Sequence, residues 1–79
     1  MIRILGLDPS LSRTGWGLVE VEGNRLLHVA HGAIRTRPAD PLAARLKALH
    51  DELRVLVAER RPDEAAVEEV FVNRNAQST

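Results

Sequence analysis

Residues 2–7 (Ile2, Arg3, Ile4, Leu5, Gly6, Leu7) are apolar apart from Arg3 and show no polar alternation. That is the pattern of a strand buried on both faces, central in a sheet with helices on both sides. Asp8 ends the run, and Pro9 and Ser10 predict a turn. From Gly15 to Glu22 a second strand is predicted. Leu18, Val19 and Val21 alternate there with Glu20 and Glu22, so one face meets water. Gly23-Asn24 is a tight-turn signal, and Arg25 to Ile34 reads as a third strand antiparallel to the second. The first three strands are expected to form a meander.

Arg35 to Asp40 is a polar loop, and Asp40-Pro41 reads as a helix start with Asp as N-cap and Pro at the first helical position. Leu42, Leu46, Leu49, Leu53 and Leu56 then draw one apolar stripe along a helix. Arg60 and Arg61 suit its negative end, and Pro62 stops it. Ala65 to Val72 is a fourth predicted strand, parallel to the first after a right-handed crossover. Asn73-Arg74-Asn75 resembles the cap of another helix, with Ala76 to Thr79 its first turn. One helix cannot cover two sheet faces, so the expectation is the N-terminal part of a larger domain.

Composition narrows the class. The chain has 79 residues, 44% hydrophobic and 28% charged, which fits one small globular domain rather than disorder. With no cysteine there are no disulfides or thiolate metal sites, which fits a reducing compartment. The N-terminal apolar run is too short to span a bilayer and has no basic leader, so no membrane association and a cytoplasmic location are the default expectation. Net charge is zero, which argues weakly against nucleic-acid binding. Arg supplies all but one of the eleven basic residues, which suits phosphate contact, although a GC-rich genome gives the same bias.

The candidate chemistry lies in two acids. Asp8 closes the first apolar run and Glu68 lies within another, Ala65-Ala66-Val67-Glu68-Glu69-Val70-Phe71-Val72. An unpaired carboxylate in an apolar setting costs several kcal/mol unless a partner or metal compensates it. Two acids at the ends of two neighbouring strands would make an oxygen-rich site for a hard cation such as magnesium. Each has a plainer reading. Asp8 could cap the turn toward Ser10 and Ser12, and Glu68 and Glu69 point to opposite faces of a strand, so periodicity does not choose between them. His28, His31 and His50 lack a common metal-ligand spacing. Trp16 and Phe71 read as core, and Gly15 and Gly17 as sites of close backbone packing. No Ser-His-Asp set and no Gly-rich phosphate loop is present.

The run Ile4-Leu5-Gly6-Leu7-Asp8-Pro9-Ser10-Leu11-Ser12-Arg13-Thr14-Gly15-Trp16-Gly17 resembles the start of RuvC, the family of bacterial Holliday-junction resolvases. Pro62-Asp63-Glu64-Ala65-Ala66-Val67-Glu68-Glu69-Val70-Phe71 resembles the family's second acidic motif, and the hairpin, loop and helix between them match in order and length. Ser10 departs from the family's usual Gly. The likeness covers residues 1–79 as the N-terminal portion of a single RuvC/ribonuclease-H-like nuclease domain, about the first half of it. It implies an α/β fold, a ribonuclease-H-like mixed sheet: an antiparallel meander plus a parallel fourth strand.

The resemblance further implies a crossover junction endodeoxyribonuclease, dependent on magnesium with manganese as a substitute. Such an enzyme cuts four-way DNA junctions as a homodimer by two-metal hydrolysis and works with RuvA and RuvB. Asp8 and Glu68 would be two of four acidic catalytic metal ligands, the others lying in the family's C-terminal region. Phe71 would stack on junction bases and Arg74 would contact a phosphate, against core packing and a solvated Arg as the plain readings. The 79-residue chain alone is expected not to cut DNA. Two other readings compete. One is an actin-like or sugar-kinase ATPase, whose Gly- and Thr-rich turn Pro9-Ser10-Leu11-Ser12 fits poorly. The other is a non-catalytic nucleic-acid-binding remnant.

Overall fold

A computed structural model of the chain describes residues 1–68. Strands β1 (Ile2–Asp8), β2 (Arg13–Glu22) and β3 (Arg25–Arg35) are followed by helix α1 (Leu42–Arg60) and strand β4 (Glu64–Val67). They form one sheet in the order β3-β2-β1-β4. β1 and β2 pair antiparallel, with Leu5 opposite Leu18 and Asp8 opposite Gly15. β4 runs parallel to β1, with Ile4 opposite Glu64 and Leu7 opposite Val67. The meander and the parallel fourth strand are thus as expected. Of the predicted strand Ala65–Val72, the part beyond Glu68 lies outside the described residues, as do Phe71, Asn73, Arg74 and Asn75.

The β2–β3 hairpin turns at Gly23, whose φ of 58° lies in the left-handed region that glycine enters without penalty. β3 then carries an irregularity where the register jumps from Leu18↔Ala30 to Val19↔His28. The extra residue is Val29, a β-bulge on an edge strand.

Helix α1 starts one residue later than the Asp40-Pro41 signal suggests. Pro41 occupies the N-cap with ψ 150° and no side-chain cap bond, and its carbonyl accepts from Arg45 N–H at 3.0 Å. A residue before proline is driven away from the helical region. Asp40 therefore stands one step too far out to cap, and its N–H bonds instead to Arg37 O at 3.0 Å. At the other end Arg61 adopts φ 51° and its N–H bonds to Val57 O at 2.9 Å. This left-handed step ends the helix before Pro62.

The leucine stripe packs over only half its length. Leu56 joins Leu5 and Leu18 in the core, where the latter two are 1% and 0% exposed, and Leu7, Trp16 and Leu53 pack around them. Leu42 at the helix start is 59% exposed. That end is tied down by polar bonds: Arg45 donates to Thr36 Oγ1 and Ser12 Oγ, each at 3.0 Å.

Because side chains alternate across a strand, Leu5, Leu7, Trp16 and Leu18 define the face under α1. Gly6, Asp8, Gly15 and Gly17 belong to the opposite face, on which no described element packs. β1 is accordingly covered on one face among the described residues, not on both as its unbroken apolar run implies. Ile2, on the open side, is exposed.

Candidate metal centre

β1 carries Asp8 as its last residue. Glu68 follows β4 directly, and its N–H donates to Leu7 O at 3.0 Å, which extends the ladder one step past Leu7 and Val67. The parallel register therefore sets Glu68 beside Asp8 on the adjoining strand. Both side chains rise on the face away from α1. They border a shallow depression floored by Gly6, Gly15, Gly17 and Ala66.

Both acids are exposed, so burial is not what strains them, contrary to the expectation of costly buried charges. The strain falls on Glu68 and comes from Asp8. Glu68 is held above the usual carboxylate range, first by its hydrogen bond to the Asp8 carboxyl, then by the negative charge of Asp8, with a smaller contribution from desolvation. Two like charges at such range disfavour joint ionisation, and a cation placed between them removes the penalty. All of the donor atoms are carboxylate oxygens, the set preferred by hard divalent cations. The residues present therefore fit such an ion. Among the described residues no cluster of three or more His, Asp or Glu could hold a metal, so they supply a pair of ligands and not a full set.

Asp8 is not engaged in the turn that follows it. That turn is closed by Thr14, 2% exposed, whose Oγ1 donates to Ser10 O at 2.9 Å and accepts from Ser10 N–H at 3.3 Å. Glu68 lies at Asp8's side; Glu69, the alternative that strand periodicity left open, lies outside the described residues.

Other expectations fare differently. Among the described residues, a Cβ at Gly15 would meet only Asp8 Cβ at 3.9 Å, and one at Gly17 would meet nothing within 4 Å. Among the described residues these glycines meet no close backbone approach, so the tight packing read from the sequence is not found there. The glycine under steric demand is Gly32, where a Cβ would come within 2.9 Å of the Trp16 indole. Trp16 packs against the core as expected, and the Arg60 guanidinium carbon lies 5.8 Å from its ring centroid. His28 and His31 meet, with Nε2 and Nδ1 3.0 Å apart, because the bulge at Val29 brings residues three apart onto one face.

Two residues not singled out by the sequence pattern hold the frame. Arg3 N–H donates to Asp63 Oδ2 at 2.8 Å, and Asp63 N–H donates to Arg3 O at 2.8 Å. The Arg3 side chain, on the α1 face, donates through Nη1 to Arg60 O at 2.6 Å. Its Nε lies 3.3 Å from Glu20 Oε1, an ionic contact without hydrogen-bond alignment.

The mixed sheet, with acids at the adjacent carboxyl ends of β1 and a parallel β4, is of the ribonuclease-H-like class. The sequence model for "Crossover junction endodeoxyribonuclease RuvC" matches residues 4–79, and the chain belongs to that family. Relatives of that name from Zymomonas mobilis and Gluconacetobacter diazotrophicus are 60% and 58% identical over 75 and 79 residues. These alignments cover 95% and 100% of this chain but 45% and 47% of the relatives, so the chain spans just under half their length. Among solved structures, "T. thermophilus RuvC in complex with Holliday junction substrate" superposes with a TM-score of 0.82 at 27% identity. That match covers 96% of this chain and 49% of that one. A PPX-GPPA enzyme structure from Aquifex aeolicus shares the fold alone, with a TM-score of 0.63 at 9% identity. Family membership sets aside the actin-like or sugar-kinase reading.

Proposed function

We propose that Asp8 and Glu68 are two of the acidic ligands of a divalent-cation site in a nuclease that resolves four-way DNA junctions. The observation that carries this reading is the strand register that stands these two carboxylates side by side. Membership of the RuvC family supplies the reaction class, and the T. thermophilus structure with its junction supplies the substrate class.

Magnesium or manganese held there would supply the chemistry of two-metal hydrolysis, polarising the scissile phosphate and acidifying a bound water. The chain's own part is to hold acceptor oxygens in fixed positions. Asp8 is anchored by strand pairing to Gly15 on one side and by the ladder to β4 on the other. Among the described residues, the glycines of the floor leave room for a bulky, charged backbone to approach the acids. Phe71 and Arg74, three and six residues beyond Glu68, are proposed to contact junction bases and phosphate. The homodimer and the partnership with RuvA and RuvB are proposed on family grounds.

The test is cleavage of a synthetic four-way junction by the complete protein with magnesium. Loss of one ligand forfeits roughly 4 kcal/mol of transition-state stabilisation, or about a thousandfold in rate, for Asp8→Asn or Glu68→Gln. Cleavage at the wild-type rate by either variant overturns the reading.

A further inference from the structure

The register that joins Asp8 to Glu68 has no obvious local source. β4 is reached by a long crossover through α1 rather than by a hairpin, so no turn fixes its alignment with β1. Its described ladder is short, from Ile4↔Glu64 to Leu7↔Val67. All of its described residues are exposed, so burial does little to choose which face each side chain takes. Ala65 and Ala66 are interchangeable in this respect. The sequence even offers a second acid, Glu69, that a slip of one residue would carry to the place beside Asp8.

Among the described residues, a specific tie lies at the far end of the ladder. Asp63 and Arg3 exchange two hydrogen bonds, each 2.8 Å: backbone N–H of Asp63 to Arg3 O, and backbone N–H of Arg3 to Asp63 Oδ2. The second is charge-assisted and comes from a side chain, so only an acceptor at this position can make it. Arg3 precedes Asp8 by the same number of residues as Asp63 precedes Glu68, namely five. Clasp and acid pair are thus in step at the two ends of one parallel ladder, about 17 Å apart. Arg3 is itself immobilised, since its guanidinium grips the last turn of α1 at Arg60 O and sits against Glu20 of β2. The crossover therefore delivers Asp63 to a fixed point.

We infer that Asp63 is a positioning residue whose carboxylate, clasped to the Arg3 N–H, sets the register in which Glu68 meets Asp8. The inference rests on the proposed metal-site reading, and its test separates the two. The complete protein is compared as wild type, Asp63→Ala and Asp63→Asn. Amide hydrogen exchange reads the Glu68 N–H, which the register bonds to Leu7 O, and titration with manganese reads affinity. Asp63→Ala is expected to lose protection at the Glu68 amide and to weaken manganese binding about tenfold, the usual effect of removing a residue that orients a ligand. Asp63→Asn keeps an acceptor oxygen and is expected to stay near wild type in both readouts. Glu69→Gln is expected to leave manganese binding unchanged alone and to weaken it in the Asp63→Ala background. Unchanged protection of the Glu68 amide in Asp63→Ala overturns the inference, as does Asp63→Asn behaving like Asp63→Ala. Should the wild type bind no manganese, the metal-site reading fails while amide exchange still decides the register.

Discussion

Glu68 stands beside Asp8 one step beyond the last described pair of β1 and β4, with its N–H bonded to Leu7 O at 3.0 Å. The parallel ladder thereby converts a separation of sixty residues in the chain into adjacency at one sheet edge. Without a cation the arrangement stores repulsion, and this has a measurable consequence.

Glu68 is held above its ordinary value of 4.5 by Asp8. A carboxyl with a raised pKa in the folded state contributes stability that is fully present below its ordinary value and is lost as pH rises through the raised one. The metal-free protein should therefore melt at a lower temperature as pH climbs through the Glu68 titration. Saturating magnesium should restore the melting temperature, because ligands that bind only the native state stabilise it. Asp8→Asn should flatten both the pH dependence and the magnesium effect. Thermal melts from about pH 4 to about pH 8 check this.

The half-packed leucine stripe yields a contrast within one helix. Leu56 is 9% exposed and Leu42 59%. Leu56→Ala should destabilise by about 2–5 kcal/mol, and Leu42→Ala by no more than about 0.5 kcal/mol. Urea denaturation of the two variants separates them.

Periodicity and turn chemistry carried much of this architecture. The meander, the two-residue turn at Gly23-Asn24, the long helix α1 and the parallel strand after it follow from local patterns of apolar spacing and Gly/Pro placement. Asp8 and Glu68 were legible as acids closing or interrupting apolar runs. The remainder depended on contacts between distant residues. Asp40 fails as a cap because the proline after it moves the cap by one. The leucine spacing shows a stripe but not where the sheet beneath it ends. Arg3 reads as a blemish in a strand, yet it holds β2, α1 and β4 together. The pairing of Arg3 with Asp63 had a faint signal in the equal spacings to Asp8 and Glu68, which becomes visible only once the two strands are known to be parallel. The His28–His31 contact needs a bulge that no sequence period announces. Phe71 and Arg74 lie outside the described residues.

Gly32 is the glycine that packing demands, because a methyl there would stand 2.9 Å from the Trp16 ring. Overpacking of this kind costs about 1–3 kcal/mol, which is the loss expected for Gly32→Ala. In a Trp16→Leu background the same methyl should cost less, since the ring atoms it meets are gone. A double-mutant cycle by chemical denaturation reads the difference.

Residues 1–79 alone should yield no metal-dependent products from a four-way junction. The described residues supply only two acids at the site, whereas two-metal hydrolysis needs carboxylates enough to hold both cations. Incubation with labelled junction and magnesium, resolved on a denaturing gel, tests this, and discrete cleavage products would refute it.

The shared cation itself can be seen directly. Crystals of the complete protein soaked in manganese and measured at the metal's absorption edge should show anomalous density bridging Asp8 and Glu68. An oxygen of each should lie at roughly 2.1–2.2 Å, close to the bond length of the small divalent cations. Manganese bound to only one of these carboxylates, or bound elsewhere with this pair left bare, would contradict the account.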